Sequence, residues 1–196
     1  MAAKSASTSS KMTLYTCQTL KAYEILVKTG SLSCDREHAD KDFIKAYDWL
    51  KDQMIQRGIT PKVDNTEDVY PIWAWYDFGG EIPDCDSADL GIPNETMMFL
   101  KLEVEPSRVL LSDFDLWHYP LNGWYLAKNE VEDEPPEIYD DTYYENEKAS
   151  WSRIFDLYDK ELLEYHGMLN SPRYIQGVLW SINLEDVVFA KKFVCR

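Results

Sequence analysis

Apolar residues recur at helical spacing in some stretches of the chain and alternate with polar ones in others. Residues 13–18 (TLYTCQ) form a short β-type run. Thr19 then caps a predicted helix carrying Leu20, Tyr23, Leu26 and Val27, with Gly30 as its stop. Phe43, Tyr47, Leu50 and Met54 follow at spacings of four, three and four, widened by Ile44 and Ile55. Asp40 or Asp42 caps this helix and Gly58 ends it. Residues 70–78 (YPIWAWYDF) predict a strand after Pro71, and residues 79–94, punctuated by Gly, Pro and Asp, a loop. In residues 97–105, Met98, Leu100, Leu102 and Val104 alternate with Lys101, Glu103 and Glu105, as in a half-buried strand. Pro106 and Ser107 turn the chain into a second short strand at 108–112. A last helix is expected after Ser150, with Trp151, Ile154, Phe155, Tyr158 and Leu162 on one side. Residues 174–182 and 187–195 read as a terminal strand pair joined through 183–186. These elements predict one α+β domain over residues 12–196, with a mixed or antiparallel sheet and flanking helices. Residues 1–11 have no apolar run and are expected to be a disordered leader or tag remnant.

Composition refines this picture in two places. The formal net charge is -15. Nine carboxylates against Lys148 put more than half of it into residues 129–148, which are expected to be a solvated loop. Such acidity disfavours direct nucleic-acid or membrane-surface binding. No stretch approaches the roughly 20 apolar residues of a membrane helix. Cys17, Cys34, Cys85 and Cys195 form no metal-type pair, so reduced, mostly buried thiols in a cytoplasmic protein are expected.

Motif chemistry is sparse. No phosphate-cradling glycine loop and no serine elbow occurs. His38, His118 and His166 lie in separate segments, so no metal site is expected. Asp84, Asp86 and Asp89 begin a calcium-like pattern that fails at Ala88. The densest chemistry lies in residues 112–126, where Asp113 and Asp115 are followed by Trp117, His118, Asn122 and Trp124. In a turn after a strand, such residues can line one pocket: an indole to stack, an amide to hydrogen-bond, a carboxylate for hydroxyls. The same residues also suit a structural corner, with Asp capping a helix, Trp filling core and His118 bonding to backbone.

Several segments carry a resemblance. MTLYTCQ, AYDWLKDQM, YPIWAWY, VLLSDFDLWHYPLNGWYL and SWSRIFDL resemble a domain family of bacteria and their phages that has no assigned function, from about Met12 to Cys195. More distantly, the order of elements is similar to the ADP-ribosyltransferase superfamily. Its DNA-modifying toxins open on a strand, a helix and a glycine, as Leu14, Tyr15, Thr16, Gln18 and residues 20–30 do here. They continue with a strand ending in a proline-led turn, which resembles residues 100–110, and close on a catalytic Glu just before Val-Leu. Gln176-Gly177-Val178-Leu179 occupies that last place, and Thr16 stands where the family has a nucleotide-orienting His. Cleaving a nicotinamide–ribose bond builds oxocarbenium-like charge that a carboxylate stabilises, and Gln176 offers only a dipole. The resemblance therefore implies one of two things. Asp113 or Asp115 supplies the carboxylate, or the domain binds a nucleotide without turning it over. It implies a ligand of the NAD or ADP-ribose type, lined by Gln18, Trp73, Tyr76, Asp113, Asp115, Trp117, His118, Asn122 and Gln176. The alternative is an interaction protein that meets a basic partner surface through residues 129–148.

Overall fold

The structure, a computed structural model, describes residues 10–62, 68–83 and 92–195. Asp84, Asp86, Asp89 and Cys85 lie outside the described residues. The chain is α+β, with β1 (Met12–Thr19), α1 (Leu20–Thr29), β2 (Ser31–Asp35), α2 (Ile44–Gln56), β3 (Val69–Tyr70), β4 (Ile72–Phe78), β5 (Thr96–Val104) and β6 (Leu110–Asp113). There follow α3 (Phe114–Asn122), α4 (Asp141–Ser150), α5 (Lys160–Tyr165), β7 (Tyr174–Leu179), β8 (Ser181–Asn183) and β9 (Val187–Val194). Short 3-10 turns lead into α2 and follow β5, α4 and β8.

Six strands make an antiparallel sheet in the order β6-β7-β4-β1-β5-β9, and β3-β2-β8 make a smaller one. Side chains alternate across a sheet, so register decides which residues share a face. One face of the large sheet carries Leu14, Ile72, Ala74, Leu100, Leu102 and Leu179, packed against Leu26 of α1, Leu32 of β2 and Ile182 of β8. The opposite face carries Leu110, Val178 and Trp73 under Trp49, Leu50 and Met54 of α2, Trp117 of α3 and Trp151. Gly177 lets the first face close: a Cβ there would stand 2.9 Å from Val109 and 3.1 Å from Leu14.

α1 forms as its caps direct. The Thr19 hydroxyl accepts from the Ala22 amide, and Gly30 at φ 83° closes the helix in the left-handed region. Asp40 caps the 3-10 turn ahead of α2.

The structure corrects several sequence expectations. Residues 114–122 are a helix rather than a turn, because Asp113 caps it and Leu116, Trp117 and Pro120 are buried on one side. The end of the acidic segment is also helical, as part of α4 over residues 141–150, capped by Asp140. Ser150 ends that helix instead of starting the next one. A 3-10 turn (Trp151–Phe155) follows, and Asp159 caps α5. Tyr158, expected on the buried side, is 87% exposed. The expected strand over 174–182 breaks at Trp180, so that β8 can join the small sheet with β2. Its expected pairing with 187–195 does not occur: β7 lies between β6 and β4, while β9 pairs with β5 at the sheet edge. Among the described residues, no helix is long and apolar enough to cross a membrane.

Candidate functional site

The large sheet is held together unevenly. β1 registers with β5 at every residue from Met12 to Thr19, but with β4 at a single pair, Tyr15 and Trp75. β1 and β4 thus run side by side in one sheet, with a backbone ladder reduced to this one register pair. On one side of that pair, a side chain replaces the missing ladder. The Thr16 hydroxyl donates to the Trp73 carbonyl at 2.9 Å, and the Gln18 amide donates to the Thr16 hydroxyl at 2.9 Å. A bulge in the β4–β7 ladder between Trp75 and Asp77 leaves Tyr76 exposed. Beside these residues lies a wide-open cavity of about 670 Å³, lined by Lys11, Thr13, Tyr15, Tyr76, Asp77 and Glu81. A tight turn fixes the rim. The Asp77 carboxylate accepts from the Gly80 amide at 2.8 Å, and the Gly79 amide donates to the Arg173 carbonyl at 2.9 Å. Two phenols, two carboxylates and one ammonium can meet a ligand with a flat ring and several hydroxyls. A larger depression of about 1000 Å³ beside Asp35, Arg36 and Lys41 has no aromatic wall.

The sequence-predicted site residues do not all meet. Of them, only Tyr76 lines this cavity. Gln18 shares a face with Thr16 and Leu14, whereas Gln176, paired across β4 with Trp75, projects from the opposite face. Gln18 and Gln176 therefore cannot line one pocket. Trp73 and Trp117 are core, with rings 5.1 Å apart, and each also packs on Tyr47. Asp113 is fully buried. It accepts from the Leu116 amide at 3.1 Å and from Arg173 Nε at 3.0 Å, with Arg173 Nη2 on the same oxygen. Asp115 is exposed in the first turn of α3, and partial burial followed by the Asp113 charge raises its pKa. His118 Nδ1 lies 3.1 Å from the Asp115 carbonyl, and Asn122 donates to the His118 carbonyl at 2.7 Å. Residues 113–122 thus form a capped helix with internal bonds.

One polar feature under α3 is not consumed. Ser112 and Gln176 face each other across β6 and β7. Ser112 Oγ and Gln176 Oε1 are both buried and meet no hydrogen-bond partner among the described residues. Trp75, in register with Tyr15 on one side and Gln176 on the other, separates this pair from Tyr15 and packs edge to face on Phe114, 5.1 Å away.

The chain belongs to the family described as Domain of unknown function (DUF3841). The match covers residues 13–148. No curated protein and no solved structure gives a significant match. The DUF3841 match thus stops inside α4, short of the Cys195 that the sequence resemblance reached. It includes β4, β5, β6 and nearly all of β1, so the β1–β4 register pair and the Tyr15, Tyr76 and Glu81 cavity lie within it. Sequence reasoning missed Tyr15, Asp77 and Glu81. The alternation of Leu14 with Tyr15 does put Tyr15 on the less buried face, but a bulge that exposes Tyr76 leaves no mark in a run of aromatics.

Proposed function

We propose that this DUF3841 domain binds a nucleotide-like ligand, of the NAD or ADP-ribose type, in the cavity lined by Tyr15 of β1 and Tyr76 of β4. One observation carries the proposal: a cavity with two tyrosines and two carboxylates opens beside the only β1–β4 register pair. An aromatic wall takes a base, and carboxylates accept from ribose hydroxyls. The order of elements behind the ADP-ribosyltransferase resemblance supports the class of ligand rather than the place, since Gln18 and Gln176 lie outside this cavity. β1 leads into α1 and the left-handed Gly30, β5 runs into a 3-10 turn led by Pro106, and β7 carries the Gln176–Leu179 segment one strand away from β1. Thr16, standing for the family's His, is buried and bonded to Trp73, and Gln176 carries no charge. The proposed activity is therefore binding, with Asp77 and Glu81 the carboxylates nearest a ligand. Calorimetric titration with NAD and ADP-ribose tests it. Tyr15→Ala and Tyr76→Ala should each weaken binding roughly 5- to 150-fold, the factor for losing one stacked base. Absence of heat from both ligands at millimolar concentration overturns the proposal.

A second reading rests on a different surface. Trp124, Val131, Ile138, Tyr139 and Tyr144 are each more than half exposed within or beside the acidic segment. Exposed apolar groups ringed by carboxylates suit a basic protein partner. Crosslinking of the chain to a partner through these residues, lost when Ile138 and Tyr139 become Ser, would support that alternative.

A further inference from the structure

β2 and β8 pair so that Leu32 and Ile182 point into the core, and the intervening positions form the other face of the ladder. That other face is Ser31 opposite Asn183 and Ser33 opposite Ser181. In a chain so rich in aromatics, this ladder carries four short polar side chains, and they floor a second cavity of about 430 Å³. The loop over it is anchored. Trp180 Nε1 donates to the Ile59 carbonyl at 2.8 Å, and the Ile59 amide donates to the Met54 carbonyl at 2.9 Å. This loop brings Lys62 to the cavity wall, and Arg108 stands in the wall as well. The Arg108 guanidinium is fixed by Asp186 at 2.8 Å and by the Ser181 carbonyl at 2.9 Å.

In a protein of net charge -15, no carboxylate lines this cavity among the described residues. Asp186 is buried behind Arg108 and neutralised by it. Among the described residues, Lys62 is thus the cation left for a ligand. On the floor the Ser31 hydroxyl donates to Asn183 Oδ1 at 3.3 Å, which also caps the 3-10 turn at 184–186, so Ser33, Ser181 and the Asn183 amide N–H are the groups left to meet a ligand. The volume suits a compact molecule. The geometry points to a binding site for a small phosphate monoester bearing hydroxyl groups, with the phosphate at Lys62 and the edge of Arg108, and the hydroxyls on Ser33, Ser181 and Asn183. A charge-assisted contact holds the anion, and the serine floor selects a hydroxylated body over a bare ion.

The test is amide NMR titration of the full chain with ribose 5-phosphate, inorganic phosphate and ribose, at low ionic strength. Ribose 5-phosphate should shift the amides of Ser31, Ser33, Ser181 and Asn183, and bind more tightly than either of the other two. Lys62→Ala, an exposed loop change, should weaken binding roughly tenfold. Ser33→Leu fills the floor at an exposed position and should abolish binding at unchanged melting temperature. Tyr15→Ala should leave this binding intact, so failure here is distinguishable from failure at the Tyr15 and Tyr76 cavity. Equal affinity for inorganic phosphate, insensitivity to Ser33→Leu, or no shifts at millimolar ribose 5-phosphate each overturns the site.

Discussion

Asp113→Ala is expected to damage the fold before it damages any ligand site. The Asp113 side chain is 1% exposed. One oxygen caps α3 through the Leu116 amide, and the other takes two donors from Arg173, whose Nη1 also donates to the Leu157 carbonyl. Losing an N-cap costs about 1 kcal/mol. Breaking a buried ion pair by removing one partner costs about 3–5 kcal/mol, because the other charge stays buried and uncompensated. The two losses share one carboxylate and do not simply add, so about 3–5 kcal/mol is the expected total. For a chain of this size each kcal/mol moves the melting temperature by roughly 2–4 °C, which predicts a fall of roughly 6–20 °C. Scanning calorimetry at neutral pH measures it. Arg173→Ala should cost a similar amount, and the double variant should cost clearly less than the sum of the two singles. A loss below about 1 kcal/mol for Asp113→Ala, with additive behaviour in the double variant, would refute the structural role and return Asp113 to the pool of ligand-facing carboxylates.

Gly177→Ala puts a methyl against Val109 and Leu14 in the closed face of the sheet, and should destabilise the chain by about 1–3 kcal/mol in urea denaturation. Asp115 has its pKa raised by partial burial and then by the neighbouring Asp113 charge, so the folded chain takes up this proton at higher pH than the unfolded one. Its ionised form therefore opposes folding at neutral pH, and the penalty lifts as pH falls through the folded pKa; carboxyl NMR should show Asp115 titrating above the ordinary aspartate range. Within the acidic segment, deleting residues 134–139 should leave the melting temperature nearly unchanged, because this stretch is mostly exposed. Glu132→Ala should lower it measurably by unpairing Arg153, which also holds the Leu126 carbonyl.

Much of the fold is legible in the sequence because the signals are local. The Thr19 cap, the Gly30 stop and the alternation through residues 97–105 each specify their element without distant contacts. α3 was legible only as the structural-corner alternative, an Asp-capped turn with Trp in the core and His118 on backbone; Pro120 and the aromatic run mask its full length. α4 escaped because its charges indicate solvent, which a surface helix also faces. The candidate site was harder to see. Gln18 and Gln176 are both polar residues in β strands, and only the sheet register shows that they face opposite ways. The cavity beside Tyr15 is lined from both β1 and β4, whose adjacency is a long-range property that no local composition encodes.

The central claim is that a nucleotide-like ligand sits in the cavity lined by Tyr15 of β1 and Tyr76 of β4. Amide NMR with ADP-ribose tests it most directly, because it reports position as well as binding. The account predicts saturable shifts concentrated at Thr13, Tyr15 and residues 76–81, lost in Tyr15→Ala. No shifts at millimolar ADP-ribose, or shifts confined to residues 129–150, would contradict it.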